Sequence, residues 1–258
     1  MSPLRSRAVA AGVGALTTAG LVLALYLFTE SASQDSYLVP TFRDVWTSFA
    51  DTWLFENVGS DVLPSLQRMF AGLAIAVVGG AGIGFLLGSS RVLDRLTAPV
   101  VSFLRSVPAA ALLPPAIVLF GIGDLTKISV IAFVCCWPIV LNTRDGVQEL
   151  DATMLDSAEV YGVRGPSRFA YVVLPAVSPR IFAGVRVSVS IALLLLVTSE
   201  MVASTDGIGY FVFLAQQQFA VDDMWAGVVL LGLLGIVLNL LLGLVERYAL
   251  RWHRPAQH

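Results

Sequence analysis

Charged residues are scarce in this sequence: only 13% of its 258 residues are Asp, Glu, Lys or Arg. An average soluble domain carries about 25%. Hydrophobic residues make up 57% of the chain, and the mean hydropathy is +0.81. A soluble globule cannot bury that much apolar surface, so the composition predicts an integral membrane protein whose solvent is largely lipid.

Histidine and cysteine, which are common in metal centres and catalytic sites, are also scarce, with two of each. The only histidines, His253 and His258, lie in the C-terminal tail, which argues against a histidine-based metal centre or catalytic triad. Cys135 and Cys136 are adjacent within an apolar run, and adjacent residues on a helix point in different directions. They therefore suit neither a shared metal nor an ordinary disulfide. We expect no metal, no cofactor and no nucleic-acid partner.

Long apolar runs are abundant, and a helix needs about 20 such residues to cross a bilayer. The first run, 8–28, is longer than the ~7–15 residues of a signal-peptide core, which favours a retained span over a cleaved signal at Ser31-Ala32-Ser33. An acidic, aromatic-rich stretch, 30–64, predicts an external amphipathic helix opened by Pro40 and capped by Thr41. Five further spans are predicted at 65–88, 96–122, 125–141, 181–203 and 225–248. The fold class is thus all-α and polytopic, with a segment 1–64 and a core 65–252.

Two of these spans have unusual composition. In the second, small residues recur every four positions and form a ridge that another helix can approach closely. They are Gly72, Ala76, Gly80, Gly84 and Gly88. The third span is interrupted by prolines, which a span tolerates where neighbours or a cavity satisfy the freed carbonyls. Near the start of the fourth span, Asp124 and Lys127 are assigned to a loop.

Arginine predicts the orientation. When both termini and the polar stretch 142–180 are cytoplasmic, twelve arginines lie inside, whereas Arg43, Arg68 and Lys127 lie outside. Lysine and arginine concentrate in cytoplasmic loops, so this topology is favoured.

The stretch 142–180 contains a motif with fixed spacing. Asp156-Ser157-Ala158 is followed after three residues by Gly162, and after nine more by Val172-x-Leu174-Pro175. A short helix can end at Gly162 in a left-handed conformation, Pro166 can start a second helix, and Pro175 is expected to break the chain before the next span. The pattern predicts a helix–Gly–helix elbow.

This motif resembles the EAA loop of ABC-transporter permeases, E-A-A-x3-G-x9-I-x-L-P, with Asp156, Ser157 and Val172 as conservative departures. Segments 120–128, 199–201 and 207–210 resemble the nitrate/sulfonate/taurine branch of these inner-membrane, binding-protein-dependent importers. The resemblance implies a type I importer fold in the bacterial inner membrane. It also implies a homodimer, two separate ATPase subunits and a periplasmic or lipid-anchored solute-binding protein. Asp156, Ser157, Ala158, Gly162, Leu174 and Pro175 would form the ATPase-coupling loop.

The absence of a phosphate-binding loop agrees with this division of labour. No G-x-x-x-x-G-K-[ST] occurs, so the chain cannot itself be the ATPase. We expect a non-enzymatic permease. An ion channel or secondary transporter is disfavoured by the missing inverted repeats and by the EAA-like loop. A membrane-embedded enzyme is disfavoured because the spans carry no clustered catalytic side chains.

Ionisable residues at membrane depth are candidates for the solute pathway. Arg105, beside Ser102 and Ser106, would suit an anion such as a sulfonate, taurine or nitrate. The alternative is that Arg105 bonds carbonyls freed by Pro108 or reaches the cytoplasmic surface. Glu200, beside Ser199, is a second candidate, at a depth different from that of Arg105. The identity of the solute is not encoded in these patterns.

Overall fold

A computed structural model of the chain describes residues 39–53 and 57–251, together with residues 17, 20, 24, 26 and 29–31. Most of the predicted first span and the histidine-containing tail lie outside the described residues. All elements of the described part are helices. The chain divides into two compact units, residues 58–211 with 231–258, and residues 1–57 with 212–230.

From residue 42 to residue 249, ten α-helices follow one another in the described chain. They are α1 Phe42–Asp51, α2 Leu63–Ser89, α3 Arg91–Ser106, α4 Leu113–Phe120, α5 Asp124–Gln148, α6 Ala152–Val160, α7 Gly165–Arg168, α8 Leu174–Ala203, α9 Ile208–Gln217 and α10 Val221–Ala249. A π-helical turn, Val58–Val62, leads into α2, and a second, Phe169–Val173, joins α7 to α8. A 3₁₀ turn, Ala109–Leu112, precedes α4.

Four helical segments are long and apolar enough to cross a membrane: Val58–Ser89, Asp124–Gln148, Gly165–Ala203 and Val221–Ala249. They confirm the predicted all-α, polytopic fold class. They also extend several predicted bounds, because helices continue beyond the apolar runs into polar sequence. The predicted polar stretch 142–180, for example, includes the end of α5 and the start of α8.

The predicted third span, 96–122, is not one straight helix. Helix α3 and the segment Ala109–Phe120 meet at an angle of 90°. Pro108 lies at the break, and prolines also occupy the first turn of α4. Proline has no N–H to donate, so one helix ends before it and another starts after it. If the bent pair counts as one span, the described residues hold five, and the total of six stays a prediction.

The small-residue ridge of α2 packs against α5. A Cβ atom at Gly72 would lie 2.8 Å from the Cβ of Ile131, and one at Gly84 would lie 2.5 Å from the Cβ of Thr143. Only glycine permits this approach, as the four-residue spacing predicted. Both contacts join residues 59 positions apart, so α2 and α5 run in the same direction.

Helix α8 packs against α5 in the opposite direction. Ser188 Oγ donates a hydrogen bond to the carbonyl oxygen of Cys135 at 2.7 Å, and Gly184 approaches Ile139 closely. Cys135 is fully buried and, like Cys136, forms no disulfide, which agrees with its reading as a small apolar residue. Helices α2, α5 and α8 thus form the packed centre of this unit.

The other unit contains the amphipathic helix α1. Thr41 caps it as predicted, since Thr41 Oγ1 accepts the Asp44 N–H at 3.2 Å. Trp46 is more than half exposed and stacks on Phe49 with ring centroids 5.7 Å apart. Such half-exposed aromatic residues suit the headgroup region of a bilayer.

Candidate functional site: a buried charge cluster, a groove and an exposed elbow

Glu200 lies near the end of α8 and is fully buried. Ser65 Oγ donates to its Oε1 at 2.7 Å, and the Gly209 N–H donates to its Oε2 at 3.0 Å. Arg68 Nη1 also donates to Oε1, at 3.0 Å. Both carboxylate oxygens therefore have protein partners in place of water, which is the condition for burying a charge.

Arg68 ties three carboxylates together. Besides Glu200, its Nη2 lies 2.5 Å from Asp206 Oδ1 and its Nε lies 2.6 Å from Asp124 Oδ1. The Arg68 side chain is 6% exposed, whereas Asp124 and Asp206 are 62% and 46% exposed. We call Ser65, Arg68, Asp124, Glu200 and Asp206 the Glu200 cluster. It joins the start of α2, the start of α5 and the end of α8.

The loop assignment of Asp124 and Lys127 is wrong. Both lie in the first turn of α5, and Lys127 is 2% exposed. Its Nζ lies 3.9 Å from Asp124 Oδ1. The polar residues hid the start of the helix because they precede the apolar run. An acidic residue in a first turn is favourable there, since it complements the helix dipole.

Two glycines allow the chain to pass beside Glu200. Gly207 has φ +108, and a Cβ there would lie 2.5 Å from the carboxylate carbon of Glu200. A Cβ at Gly209 would lie 2.5 Å from the carbonyl oxygen of Val197. The Gly207 N–H donates to Asp61 Oδ1 at 2.8 Å. This Gly-x-Gly segment therefore serves close packing on a buried carboxylate.

A groove follows one face of α5 as three successive recesses. The first, about 340 Å³, is apolar and is lined by residues of α4 and by Ser129 and Phe133. The second, about 530 Å³, shares Phe133 and contains Trp137 and Leu141. The third, about 340 Å³, shares Leu141 and reaches Asp145. At 1.5 Å per residue the groove extends about 24 Å along α5, most of a ~30 Å hydrocarbon core.

Arg105 lies where the second and third recesses meet, in the last turn of α3. Its side chain is exposed, and within 39–53 and 57–251 no carboxylate forms an ion pair with it. Ser106 lines the second recess and Ser102 the third, and Ser106 Oγ donates to the Ser102 carbonyl at 2.6 Å. In the described part of the chain, the groove thus presents Arg105 as a cation without an ion pair, beside two hydroxyl groups.

The structure does not bring Arg105 and Glu200 together. Glu200 binds Arg68 instead, and its neighbour Ser199 is also buried, with its hydroxyl donating to the Leu196 carbonyl at 2.9 Å. These two predicted pathway residues lie inside the helical bundle, whereas Arg105 faces the groove.

The stretch 151–168, which we call the elbow, has the predicted helix–Gly–helix shape. Helix α6 ends at Val160, Tyr161 caps it, and the next residue, Gly162, has φ +76. The Val163 N–H donates to Ala158 O at 2.9 Å, and the Gly162 N–H donates to Glu159 O at 3.0 Å. This pair of bonds closes helices whose next residue is left-handed. The turn is therefore held by two backbone hydrogen bonds and by the left-handed conformation of Gly162.

The start of α8 differs from the prediction at Pro175. The chain is helical from Gly165 to Ala203, so Pro175 does not break it. Pro175 lies in the first turn of α8, directly after the π-helical turn Phe169–Val173. A local π-helical adjustment lets a helix continue past a proline. The elbow is consequently joined to α8 by continuous helix.

Apolar side chains of the elbow, and of the π-helical turn that follows it, are largely exposed. Val160 and Tyr161 are each 85% exposed, and Tyr171 is 79% exposed. Phe169, by contrast, packs edge-on against Phe85 of α2, with centroids 4.9 Å apart. One side of this region is anchored to the bundle, while the other has no partner in the described chain.

Residues 70–253 match the family described as binding-protein-dependent transport system inner membrane component. A probable ABC transporter permease protein of Brucella abortus (strain 2308) is 30% identical over 253 residues, which cover 98% of this chain and 100% of the relative. The bicarbonate transport system permease protein of Synechococcus elongatus is 33% identical over 228 residues, 88% and 80% of the two chains. A putative aliphatic sulfonates transport permease protein of Escherichia coli (strain K12) is 30% identical over 239 residues, 93% and 90%. The chain therefore belongs to the binding-protein-dependent ABC transport permeases, as a multi-pass inner membrane component.

Proposed function

We propose that this permease forms a solute pathway in an ATP-driven importer and that the elbow couples it to a separate ATPase subunit. The observation that carries the proposal is the exposed apolar side of the elbow, Val160 and Tyr161, beside the left-handed Gly162. A short helix with an apolar exposed side fits a groove on another protein. The matching EAA-like spacing supports the same role.

The helices next to the elbow would carry the movement of the ATPase subunit to the membrane-spanning part of the chain. Helix α5 ends at Gln148, four residues before α6, and α8 continues from the elbow without a break. A displacement of the elbow is therefore transmitted to both helices. Because α8 is one helix up to Ala203, ATP-driven closure below would move it as a body.

Substitution of Gly162 tests the coupling. A Cβ at Gly162 would meet nothing within 4 Å, so Gly162→Val acts through the backbone conformation alone. A β-branched residue at φ +76 costs on the order of 1–2 kcal/mol, whereas Asn tolerates that region. In reconstituted vesicles Gly162→Val should lose uptake and stimulated ATP hydrolysis, while Gly162→Asn retains most of both. Wild-type rates in Gly162→Val would refute the coupling role.

We propose that the assembly contains two copies of this chain, two ATPase subunits and a solute-binding protein. One chain carries one elbow, and a symmetric pair supplies two docking points around a shared pathway. Native mass of the purified complex should show two permeases with two ATPases. A single permease copy, or a different second permease, would contradict the homodimer.

The proposed orientation places both termini and the elbow in the cytoplasm. Single cysteines at Asp51 and Gln217, in a Cys135→Ala/Cys136→Ala background, should react with an impermeant thiol reagent in cells with a permeable outer envelope. A cysteine at Ser167 should react only after the membrane is opened. Reaction at Ser167 in intact cells would reverse the topology.

For the solute we propose a small anion, with Arg105 in its path. Arg105 faces the groove without an ion-pair partner among the described residues, and a cation kept at membrane depth favours a negatively charged solute. Two relatives are named for bicarbonate and for aliphatic sulfonates. Arg105→Gln should reduce uptake of such anions without loss of assembly, whereas normal uptake would return Arg105 to a structural role. We assign Glu200 and Ser199 to bundle packing.

A further inference from the structure

The recess of the groove nearest the elbow is lined by a second arginine. Arg144 of α5 and Arg105 of α3 both line this 340 Å³ recess, together with Ser102 and Asp145. Arg144 is 26% exposed, so it is accessible from the recess. Two guanidinium groups and a hydroxyl thus face one space, a donor set that suits an oxyanion.

Arg144 is held in position by two carboxylates. Its Nη2 and Nε both bind Asp145 Oδ1, at 2.6 and 2.8 Å, and its Nη1 lies 3.3 Å from Asp94 Oδ1. Asp94 also accepts a hydrogen bond from Gln148 at 3.0 Å. The two acids offset much of the positive charge, while Arg105 keeps its charge unpaired among the described residues.

We propose that Arg105 and Arg144 form a weak oxyanion site from which the solute leaves the groove toward the elbow. This inference rests on the proposed importer function and adds Arg144, Asp94 and Asp145 to it. A transport site must attract the solute and still release it. The carboxylates limit the affinity here, and the elbow follows α5 directly, so movement of α5 would alter this site first.

The site can be tested without knowing the natural solute. Ala98 lines the recess and is exposed, so Ala98→Cys in the Cys135→Ala/Cys136→Ala background places a thiol there. Rates of reaction with an anionic and a cationic thiosulfonate report the local potential. Ser129→Cys, in the apolar recess at the other end of the groove, is the matched control.

The anionic reagent should react relatively faster with the thiol introduced at position 98 than with the thiol introduced at position 129. Arg105→Gln or Arg144→Gln should each lower the ratio of anionic to cationic rates at position 98 by at least about threefold, as a charge a few ångströms away in partly aqueous surroundings does. The ratio at position 129 should stay constant. Equal ratios at the two positions, or no response to either substitution, would overturn the site.

Binding is measured as protection of position 98 by bicarbonate, nitrate or ethanesulfonate, with gluconate as the reference anion. At least one of the three should slow modification twofold or more, and protection should disappear in Arg144→Gln. Asp145→Asn keeps an oxygen acceptor for Arg144 but removes a negative charge, so it should strengthen protection. A purely structural Asp145 would not do so, and weakened protection in Asp145→Asn would contradict the proposal.

Two further arms separate the possible causes of failure. The assays are run in vesicles of phosphatidylcholine alone and with phosphatidylglycerol; protection that depends on phosphatidylglycerol would assign the two arginines to a lipid headgroup and overturn the solute site. Uptake of the same anions by the full complex tests the proposed function separately. Protection without uptake would remove the importer assignment for these anions, whereas uptake without protection would remove only the two-arginine site.

Discussion

The Glu200 cluster and the elbow lie at opposite ends of α8 and are built in opposite ways. Around Glu200 the buried polar atoms are satisfied by the chain itself, and glycine allows the backbone to close over them. At the elbow, Val160 and Tyr161 are largely uncovered although the turn at Gly162 is well defined. The polar groups of the Glu200 cluster are thus satisfied within one chain, whereas the elbow has a defined shape and an exposed apolar surface. The difference is what the proposed function requires: the Glu200 cluster would stabilise the chain and the elbow would bind a partner.

The largest expected effect is at the Glu200 cluster. Arg68→Met removes the cation that is ion-paired with the fully buried carboxylate of Glu200. Breaking such a pair costs about 3–5 kcal/mol. We expect a large loss of thermal stability in detergent. It is measured as the temperature at which the monodisperse peak is lost in size-exclusion chromatography of heated samples.

Two variants check the cause. Arg68→Met/Glu200→Gln removes the charge that lost its partner and should recover a substantial part of the stability. Asp206→Asn alters a half-exposed partner and should cost about 1 kcal/mol or less. If Arg68→Met melted like the wild type, the stability of the Glu200 cluster would not depend on its ion pairs.

A moderate effect is expected along the α2–α5 contact below the cluster. Gly84→Val places side-chain atoms against Thr143, where even a Cβ lies 2.5 Å from the Thr143 Cβ. Overpacking of this kind costs about 1–3 kcal/mol. Gly82→Val is the matched control, since a Cβ there meets nothing within 4 Å. Equal melting temperatures for the two variants would show that the contact is looser than this geometry implies.

The smallest effect on stability is expected at the elbow. Tyr161→Ser removes a ring that is 85% exposed and should change stability by about 0.5 kcal/mol or less. Its effect should appear in association with the ATPase subunit, by about tenfold if Tyr161 is an anchor. Tyr248→Ser, at a side chain 74% exposed on α10, is the control and should bind the ATPase normally. Unchanged binding in Tyr161→Ser would remove the main contrast between the two ends.

The sequence predicted those features that depend on local spacing. The ridge from Gly72 to Gly88 and the left-handed Gly162 follow from periodicity and backbone preference, and both are present in the structure. The pairing of Arg68 with Glu200 was missed because it joins residues 132 positions apart with no shared spacing. Burial of Lys127 was missed because a polar residue at a helix start resembles a loop.

The bend in the third span was only partly foreseen. The prolines indicated weak points, but the 90° angle depends on the packing of α3 and α4, which composition does not encode. The groove was also not predictable, since its walls come from elements far apart in the chain, among them α3, α5 and α8. Arg105 can be nominated from its charge at membrane depth, whereas for Arg144 the sequence predicts only a cytoplasmic position.

The shared direction of α2 and α5 has a consequence for biosynthesis. Since Gly72 meets Ile131 and Gly84 meets Thr143, the ridge lacks its α5 partner until 59 further residues have been made. At translation rates of about 5–20 residues per second, that interval lasts roughly 3–12 seconds. During this time the small-residue face is open to any helix in the bilayer, including the same segment on a neighbouring nascent chain. The length of chain between α2 and α5, which includes the bent α3–α4 segment, therefore sets how long this face waits for α5.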